Sequence, residues 1–550
     1  MLNLTNFIKA VSSLEKIFTD SETSSLYELK HFSMLKNEKK SFQIVLNTTD
    51  SEFVSIDVKS PLDGFINISV VKSMPSDLPA SQRSDDFYIK KEPGFYPDLL
   101  LPVSDGYSFE SSGAFAFWIE ISPNGQSFLP SGNHKITITL KSQNTVCKTE
   151  LTVEVINALL PKQTLIYTNW IHTDCLMTYY GFEAFSDKYW ETLRNYLKKA
   201  ADYGMNCVLT SIFTPPLDTE IGKERPTVQL VKVNDCGDGS YTFDFSMLKK
   251  WISISKECGI EYFEMSHLFT QWGAKHAPKI VAINSEGKEE KIFGWETKAA
   301  GIEYKHFLRQ FAVALKHFLR KENLEKNVLI HVSDEPPFNC LLSYKKASAI
   351  IHHLFPDYKV IDAMSSYPLA KICKMRYPIP ANDYIDNFIG KTEELWTYYC
   401  SAQSTKNVSN RFFSMPSVRN RILGYQMYKY SVKGFLHWGY NFYFSQYSKK
   451  SVDPYKVTDA GKAFASGDSF IVYPGENFKP LNSLRLNVFY DGLQDMMALQ
   501  LLETKIGKEA VIKLMETSVD KPITFSEYPH SNSWLLKNRE KINQEIKKYI

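Results

Sequence analysis

The sequence lacks a long apolar run and lacks an excess of charge of either sign. No stretch approaches the roughly 18 consecutive apolar residues of a membrane span, so we expect no membrane insertion. Lys and Arg are interspersed with Asp and Glu, and the formal net charge is only +3. This balance provides no strongly basic surface, so we also expect no nucleic-acid partner.

Targeting, disulfide and metal-binding patterns are missing as well. The amino-terminal stretch MLNLTNFIKAVSSLEKIFTD has no continuous apolar segment and no small-residue cleavage site, which favours a cytoplasmic location. The eight cysteines include no CxxC pair, and only His172 and Cys175 stand at ligand spacing. One such pair is too little for a zinc site, so we expect free thiols in a reducing compartment, no metal and no cofactor.

What the sequence does contain is ample apolar and aromatic material. Hydrophobic residues make up 43% of the 550 residues, which is enough to bury the cores of two or three domains. The chain has 31 Tyr, 36 Phe and 9 Trp. Most of these rings will fill cores, but sugar-binding clefts use such rings too.

Residues 1–160 carry the pattern of an antiparallel β-sandwich domain. Turn-forming clusters such as PLDG, SPNGQ and PSGN separate short segments in which apolar and polar residues alternate. The segments are SFQIVLNTTD, FVSIDVKS, FINISVVKS, AFAFWIEISP, HKITITLKS and KTELTVEVI. Because no helical period lies between them and no acid pair or histidine cluster is present, we expect a structural or binding module.

After residue 160 short apolar runs alternate with amphipathic helical stretches, which is typical of βα units. The candidate strands are 164–169, 206–210, 260–265, 328–333, 359–363, 376–379, 395–400 and 434–440. Eight such units predict a (β/α)8 TIM-type barrel over residues 161–505, followed by a helical extension over 506–550. The insertion VQLVKVNDCGDGSYTFDF predicts a hairpin that turns at Asp238 and Gly239.

One candidate strand leads directly into two acids. In the stretch NVLIHVSDEPP, an apolar run is followed by Asp334, Glu335 and two prolines, which cannot continue a central strand. The acids therefore lie at the carboxyl end of the strand, where parallel α/β proteins carry out their chemistry. A DE dipeptide in a loop is also common as a solvated surface pair. The catalytic interpretation is favoured because these two acids follow a buried strand and precede two prolines.

Other side chains at the predicted strand ends suit a carbohydrate. They include Asn169, Trp170, His172, Thr210, Glu264, His267, Trp272, Asp362, Tyr398, Tyr399, Trp438, Tyr440 and Asn441. Aromatic rings stack on the apolar face of a sugar while polar groups hold its hydroxyls. We therefore expect a glycan substrate, with Trp170 and His267 among the binding residues.

The adjacency of the acids narrows the mechanism. Ordinary glycosidases place two carboxyl groups on opposite sides of the scissile bond, about 5 Å apart or more. Neighbouring residues on one loop cannot easily do this, whereas a 2-acetamido sugar supplies its own nucleophile. Such a substrate needs one acid, predicted to be Glu335, and one carboxylate that holds the amide, predicted to be Asp334.

Five segments resemble glycoside hydrolase family 123, the β-N-acetylgalactosaminidases, over most of residues 160–505. They are HVSDEP, LWTYYC, GFLHWGYNFY, GDSFIVYPG and SLRLNVFYDGLQD. The resemblance implies a retaining, substrate-assisted, exo-acting hydrolase of terminal β-linked N-acetylgalactosamine. Asp334 would orient the acetamido group and Glu335 would be the general acid/base.

The resemblance also makes aromatic residues candidates for the sugar subsite. They are Trp396, Tyr398, Tyr399, Trp438 and Tyr440, and Tyr399 is the preferred donor to the acetamido oxygen. Arg485, Asp491 and Asp495 match a recurring pattern near the last barrel helix and are either an ion-paired brace or substrate contacts. Two alternatives stay open: a glycosidase with another sugar or an inverting mechanism, and a non-catalytic glycan-binding protein.

Overall fold

The amino-terminal region is built of β-strands, as the alternating pattern predicts. The computed structural model describes residues 8–125, 127–143 and 145–550. The first ten strands are β1 (Ile8–Ser12), β2 (His31–Leu35), β3 (Lys40–Thr48), β4 (Glu52–Lys59), β5 (Ile66–Ser76), β6 (Gly94–Pro102), β7 (Gly106–Phe109), β8 (Gly113–Ile121), β9 (Gly132–Lys141) and β10 (Val146–Ile156). All six predicted segments form strands, and β1, β2, β6 and β7 are additional.

These strands form two five-stranded sheets around one apolar core. The orders are β1-β3-β8-β5-β6 and β2-β10-β9-β4-β7, and all neighbours are antiparallel except β2 and β10. Ile136, Ile138 and Leu140 of one sheet meet Phe117 and Ile119 of the other. The alternation in sequence therefore places one face of each sheet in a shared core.

The second region contains all eight predicted strands of the barrel. The remaining strands are β11 (Ile166–Asn169), β12 (Cys207–Thr210), β13 (Lys232–Asp235), β14 (Tyr241–Asp244), β15 (Tyr262–Met265), β16 (Ile280–Ile283), β17 (Glu289–Phe293), β18 (Val328–His331), β19 (Lys359–Ala363), β20 (Tyr377–Ile379), β21 (Trp396–Tyr398), β22 (Gly434–His437), β23 (Val472–Pro474) and β24 (Pro480–Asn482). Eight of them form a parallel sheet in the order β20-β19-β18-β15-β12-β11-β22-β21.

The ends of this sheet come together to form a nearly closed barrel. Tyr398 of β21 donates its backbone N–H to the carbonyl of Pro380 over 3.1 Å, and Asn382 donates to the carbonyl of Tyr398 over 2.9 Å. Side chains such as Leu329 and Trp396 fill the interior. The interior is thus a packed core.

Helices follow most of the barrel strands. They are α1 (Thr173–Tyr180), α2 (Asp187–Asp202), α3 (Ser246–Glu257), α4 (Ile302–Lys321), α5 (Leu341–Leu354), α6 (Tyr367–Ile372), α7 (Ser417–Arg421), α8 (Leu423–Lys429), α9 (Leu484–Ile506), α10 (Lys508–Met515) and α11 (Asn532–Lys547). Between β20 and β21 only a short 3-10 turn over Ile385–Asn387 is present. None of the helices in the described ranges is long and apolar enough to cross a bilayer.

An insertion adds a small sheet beside the barrel. Strands β13 and β14 pair as an antiparallel hairpin, which confirms the predicted hairpin around Asp238 and Gly239. Gly239 has a φ of +85°, a conformation that glycine adopts without strain. Strands β16 and β17 complete a four-stranded sheet in the order β14-β13-β16-β17.

Buried ion pairs join the amino-terminal sheets, the barrel and the last helix. Arg485 donates to both carboxylate oxygens of Asp98 over 2.7 and 2.9 Å. Asp495 accepts from Arg421 and from Arg539 of α11. These contacts confirm the interpretation of Arg485, Asp491 and Asp495 as a brace, with Asp491 also ion-paired to Arg421.

The apolar core is continuous across the same boundaries. Trp118 of β8, Tyr167 of β11, Leu499 of α9 and Ile542 of α11 belong to one buried cluster. The apolar packing therefore continues through the predicted boundaries near residues 160 and 505. All eight cysteines are free, as predicted.

Candidate active site

Asp334 and Glu335 line a cleft at the carboxyl end of the barrel. Strand β18 is buried along its whole length, and two further buried residues, Val332 and Ser333, separate it from the acids. The prolines that follow prevent the strand from continuing. The position predicted from the sequence, at a strand end and facing a cleft, is the one observed.

The loop is fixed in an unusual conformation at Glu335. Its φ is +43°, which is uncommon for a residue other than glycine. Hydrogen bonds hold this turn: Glu335 donates its backbone N–H to the carbonyl of Ala363 over 3.2 Å, and Trp272 donates to the carbonyl of Asp334 over 2.8 Å. Such strain costs on the order of 1–3 kcal/mol and is found most often at functional sites.

The proton affinity of both carboxyl groups is raised in the cleft. Burial raises the pKa of Asp334 well above its usual value, and the neighbouring Glu335 carboxylate raises it further. Burial also raises the pKa of Glu335, while a hydrogen bond donated by the Tyr398 hydroxyl acts in the opposite direction. Because both carboxylates cannot easily be ionised together, the pair retains a proton more readily than isolated acids do.

Aromatic rings form one wall of the cleft. Trp170, Tyr398, Trp438 and Phe464 all line it, and the rings of Trp438 and Phe464 meet edge to face with centroids 5.2 Å apart. The cleft contains about 720 Å³ of space, part of which is open to solvent.

Polar side chains also line the cleft. They are Asp218, Gln271, Gln446 and Asp468. Asp468 accepts a hydrogen bond from the indole N–H of Trp438 over 3.0 Å. Burial raises the pKa of Asp468 to about 7, although the nearby Arg411 guanidinium opposes this. Rings with hydroxyl-binding groups around them are the composition expected of a sugar site.

A buried network of charged groups lies beneath the cleft. The carboxylate of Glu264 accepts hydrogen bonds from Trp170 and Thr168 and pairs with the Nε2 atom of His331. The Nδ1 atom of His331 faces Asp362, 3.7 Å away. Burial opposes protonation of His331, but Glu264 and Asp362 outweigh it and raise the pKa of His331 to about 9.

The structure brings only some of the predicted site residues to the cleft. Asp334, Glu335, Trp170, Tyr398 and Trp438 line it, whereas four others lie behind the lining and are buried. These four are His267, Trp396, Tyr399 and Tyr440.

The surroundings of the four buried residues explain their positions. The ring of Tyr399, predicted to donate to the substrate, packs against Phe435 with centroids 5.1 Å apart. Trp396 fills the barrel interior against Gly434, where an added Cβ would lie only 2.1 Å from the indole. His267 packs against His331 beneath the cleft, with ring centroids 4.1 Å apart.

The cleft also contains residues that the sequence analysis did not select. Asp218, Gln271, Gln446 and Phe464 come from loops whose sequences show no periodic pattern. Asp468 could have been selected from the sequence, because it belongs to the segment GDSFIVYPG, one of those that resemble the family. That segment follows the eighth strand, so its acid could have been placed at the barrel mouth.

Comparisons with known proteins agree with this architecture. The family model "Glycoside hydrolase 123, catalytic domain" matches residues 170–502. No protein of curated function matches the chain.

Among solved structures, the chain is similar to a family 123 glycoside hydrolase from Clostridium perfringens, described in a study of glycolipid glycan hydrolysis. The identity is 16%, 99% of this chain and 98% of that chain are covered, and the TM-score is 0.76. A β-glucuronidase from Parabacteroides merdae has 11% identity, with 90% and 52% of the two chains covered, but its TM-score of 0.30 supports no argument. Because the family model covers more than half of the chain, this protein belongs to glycoside hydrolase family 123 and is a glycoside hydrolase.

Proposed function

We propose that the protein hydrolyses the glycosidic bond of a terminal β-linked N-acetylgalactosamine, on a glycolipid or glycoprotein glycan, with retention of configuration. The observation that carries this proposal is the placement of two adjacent carboxyl groups, Asp334 and Glu335, on one loop of an aromatic-lined cleft. Neighbouring side chains are poorly placed to attack both faces of a sugar. A substrate amide that acts as the nucleophile removes that requirement.

In the first step the acetamido oxygen attacks the anomeric carbon. Asp334 accepts a hydrogen bond from the amide N–H and balances the positive charge that develops there. Glu335 gives its proton to the departing glycosidic oxygen, so the carbon–oxygen bond to the aglycone breaks as the oxazolinium ring forms. In the second step Glu335 takes a proton from water, which attacks the same carbon and reopens the ring.

Tyr398 supports the change of charge on Glu335. Its hydroxyl donates to the Glu335 carboxylate, and this bond strengthens as Glu335 loses its proton. An interaction that is stronger in the transition state than in the ground state raises the rate of the chemical step. Trp438 would stack on the sugar, while Asp468 would hold a sugar hydroxyl.

Replacing each acid with its amide tests the assignment. Glu335→Gln should lower turnover of unactivated glycosides by about 10²–10⁴-fold, because proton transfer to the leaving oxygen is lost. The loss should be smaller for a nitrophenyl glycoside, whose leaving group needs less protonation. Asp334→Asn should slow both substrates, since it affects attack by the amide.

A thiazoline analogue of N-acetylgalactosamine provides a separate test, because it mimics the cyclic intermediate. It should inhibit the wild type competitively, and NMR should show the β-anomer as the first product. If Glu335→Gln hydrolyses unactivated glycosides as fast as the wild type, the assignment of Glu335 as the general acid is wrong. A lack of inhibition by the thiazoline would contradict participation of the amide.

A second candidate mechanism uses Asp468 as a base or nucleophile opposite Glu335. Its presence in the same cleft favours this idea. However, a pKa of about 7 leaves a large fraction of Asp468 protonated at neutral pH, and the hydrogen bond from Trp438 occupies its carboxylate, so Asp468 is less available for attack than an ordinary carboxylate. An α-anomeric first product would identify inversion, and a panel of nitrophenyl glycosides would separate both mechanisms from a non-catalytic glycan-binding protein.

A further inference from the structure

Three buried side chains beneath the cleft direct unpaired atoms toward one another. They are His267, which follows β15, His331 at the end of β18, and Asp362 in β19. One nitrogen or oxygen atom from each residue lies within 4.8 Å of the others. The three strands are neighbours in the barrel sheet, so adjacent strand ends supply the whole group.

The atoms concerned have no partner within hydrogen-bonding distance, although His331 Nδ1 and Asp362 Oδ1 form a long ion pair of 3.7 Å. They are both ring nitrogens of His267, the Nδ1 atom of His331 and the Oδ1 atom of Asp362. The side chains are 1% exposed or less, so bulk water does not compensate. A buried polar atom without a partner costs about 1–3 kcal/mol, and three such atoms, one from each residue, lie close together, which indicates that something binds between them.

The remaining atoms of these side chains are held firmly by other groups. His331 pairs through Nε2 with Glu264, which directs its Nδ1 atom into the group. Asp362 accepts hydrogen bonds through Oδ2 from the backbone of Ser333 over 3.1 Å and from the Tyr344 hydroxyl over 2.7 Å. Glu264 therefore orients the His331 ring, and a carboxylate that bonds the outer nitrogen in this way is common beside metal-binding histidines.

The local charge also favours a cation. Glu264 and Asp362 bring two carboxylates into a buried region, and within the described ranges neither forms an ion pair with Lys or Arg. A divalent ion that takes the place of the proton on the His331 Nδ1 atom balances both charges. Protonation of His331 alone balances only one of them.

We infer that His267, His331 and Asp362 bind a first-row divalent transition-metal ion such as zinc. Two imidazoles and one carboxylate are a common ligand set for such ions. The 3.7 Å between the His331 Nδ1 and Asp362 Oδ1 atoms is close to the separation of two ligands that are each about 2 Å from one ion. The ion would lie beneath Asp334 and so favour its carboxylate form. This inference departs from the expectation of a metal-free protein.

Metal content measured without substrate tests the site. The purified, untagged full chain is stripped with chelating resin, incubated with excess zinc, desalted and analysed by mass spectrometry. We expect about one zinc ion per chain in the wild type, and almost none in His267→Gln and Asp362→Asn. Glu264→Gln keeps all three ligands and should weaken zinc binding by about 10–100-fold, because only the outer support is changed.

His437→Gln is the matched control, since His437 is another fully buried histidine at a barrel strand end. It should retain the zinc. Added zinc should raise the melting temperature of the wild type and of His437→Gln, but not that of His267→Gln. Cobalt in place of zinc should give visible d–d absorption bands in the wild type.

Equal zinc content in the wild type and His267→Gln, or a wild type that retains no zinc and shows no cobalt bands, would overturn the inference. The group would then enclose only water. If His267→Gln does not fold, as judged by circular dichroism, two other measurements still test the inference. They are the cobalt absorption bands of the wild type and the zinc affinity of Glu264→Gln. Because none of these measurements involves a sugar, their outcome is independent of the proposed hydrolysis.

Discussion

The hydrogen bond between Tyr398 and Glu335 allows the assignment of the general acid to be tested by a small change. Tyr398→Phe removes one hydroxyl from the cleft and leaves the ring and both carboxyl groups in place. Tyr398 is buried at the end of β21, where the barrel closes. Because the ring is mostly buried, the main effect of the substitution should be loss of the hydrogen bond to Glu335.

The expected magnitude follows from the charge on the acceptor. A hydrogen bond to a charged group contributes about 1.5–3 kcal/mol. If Glu335 becomes a carboxylate in the transition state, loss of that contribution should lower kcat/KM for an unactivated glycoside by about 10- to 150-fold. The effect should fall mainly on kcat, because the bond is weaker while Glu335 is protonated.

The substitution Tyr398→Phe should also shift the pH profile of kcat/KM in a direction that the structure predicts. The Tyr398 hydrogen bond lowers the pKa of Glu335 against the effect of burial, so its removal should raise that pKa. A general acid works only when it is protonated, and activity is lost as the pH rises through its pKa. The alkaline limb of the kcat/KM profile should therefore move to higher pH in Tyr398→Phe.

Tyr399→Phe is the matched control for this experiment. Its hydroxyl is one residue away, fully buried and without a hydrogen-bond partner, and it does not line the cleft. Its pH profile should overlay that of the wild type. An alkaline limb that stays fixed in Tyr398→Phe, or that shifts equally in Tyr399→Phe, would refute the assignment of Glu335 as the acid supported by Tyr398.

Three further predictions concern binding and stability. Asp468→Asn should raise KM more than it lowers kcat and should remove the change of KM with pH near 7, measured as initial rates, because the pKa of Asp468 is about 7. Asp98→Asn leaves the buried Arg485 unpaired and should destabilise the protein by about 3–5 kcal/mol in thermal or denaturant unfolding. Gly424→Ala places a Cβ 1.8 Å from the Gly492 carbonyl oxygen, so the melting temperature should fall, whereas Gly64→Ala, with open space around it, should change it little.

The strands of the barrel could be predicted because each is a short apolar run buried on both faces. All eight are present, and several end earlier than predicted. The run 328–333 was predicted as one strand, but the ladder ends at His331 while Val332 and Ser333 continue as buried chain. Apolar composition reports burial, whereas a strand end depends on whether a neighbouring chain still accepts hydrogen bonds.

The strands missed in the amino-terminal region share one property. Strands β1 and β6 are the edges of one sheet, and β2 and β7 are the edges of the other. Three of the four, β1, β2 and β7, have only four or five residues, and edge strands tolerate proline, so their alternation is weak. Strand β6 contains Pro97 between hydrogen-bonded neighbours, and a proline of this kind argues against a strand when the sequence is considered alone.

The choice between Tyr398 and Tyr399 could not be made from the sequence for a related reason. Successive side chains of a strand point to opposite faces, so one tyrosine faces the barrel interior and mouth while the other faces the surrounding layer. In the segment LWTYYC the two are adjacent and chemically identical. A shift of a single residue in the assumed register exchanges their roles, and nothing in the local composition fixes that register.

The buried group beneath the cleft was hidden for a different reason, and it bears on the chemistry above it. Motif spacing detects ligands that lie on one segment, whereas His267, His331 and Asp362 come from three strands. Asp334 lies close enough to Asp362 and Glu264 for both carboxylates to raise its pKa. In the proposed mechanism Asp334 must nevertheless be ionised when the amide binds. The positive charge of His331 opposes this rise in the pKa of Asp334. A divalent ion bound in place of the His331 proton would double that positive charge, so the proposed metal site would favour the ionised Asp334 that the proposed mechanism needs.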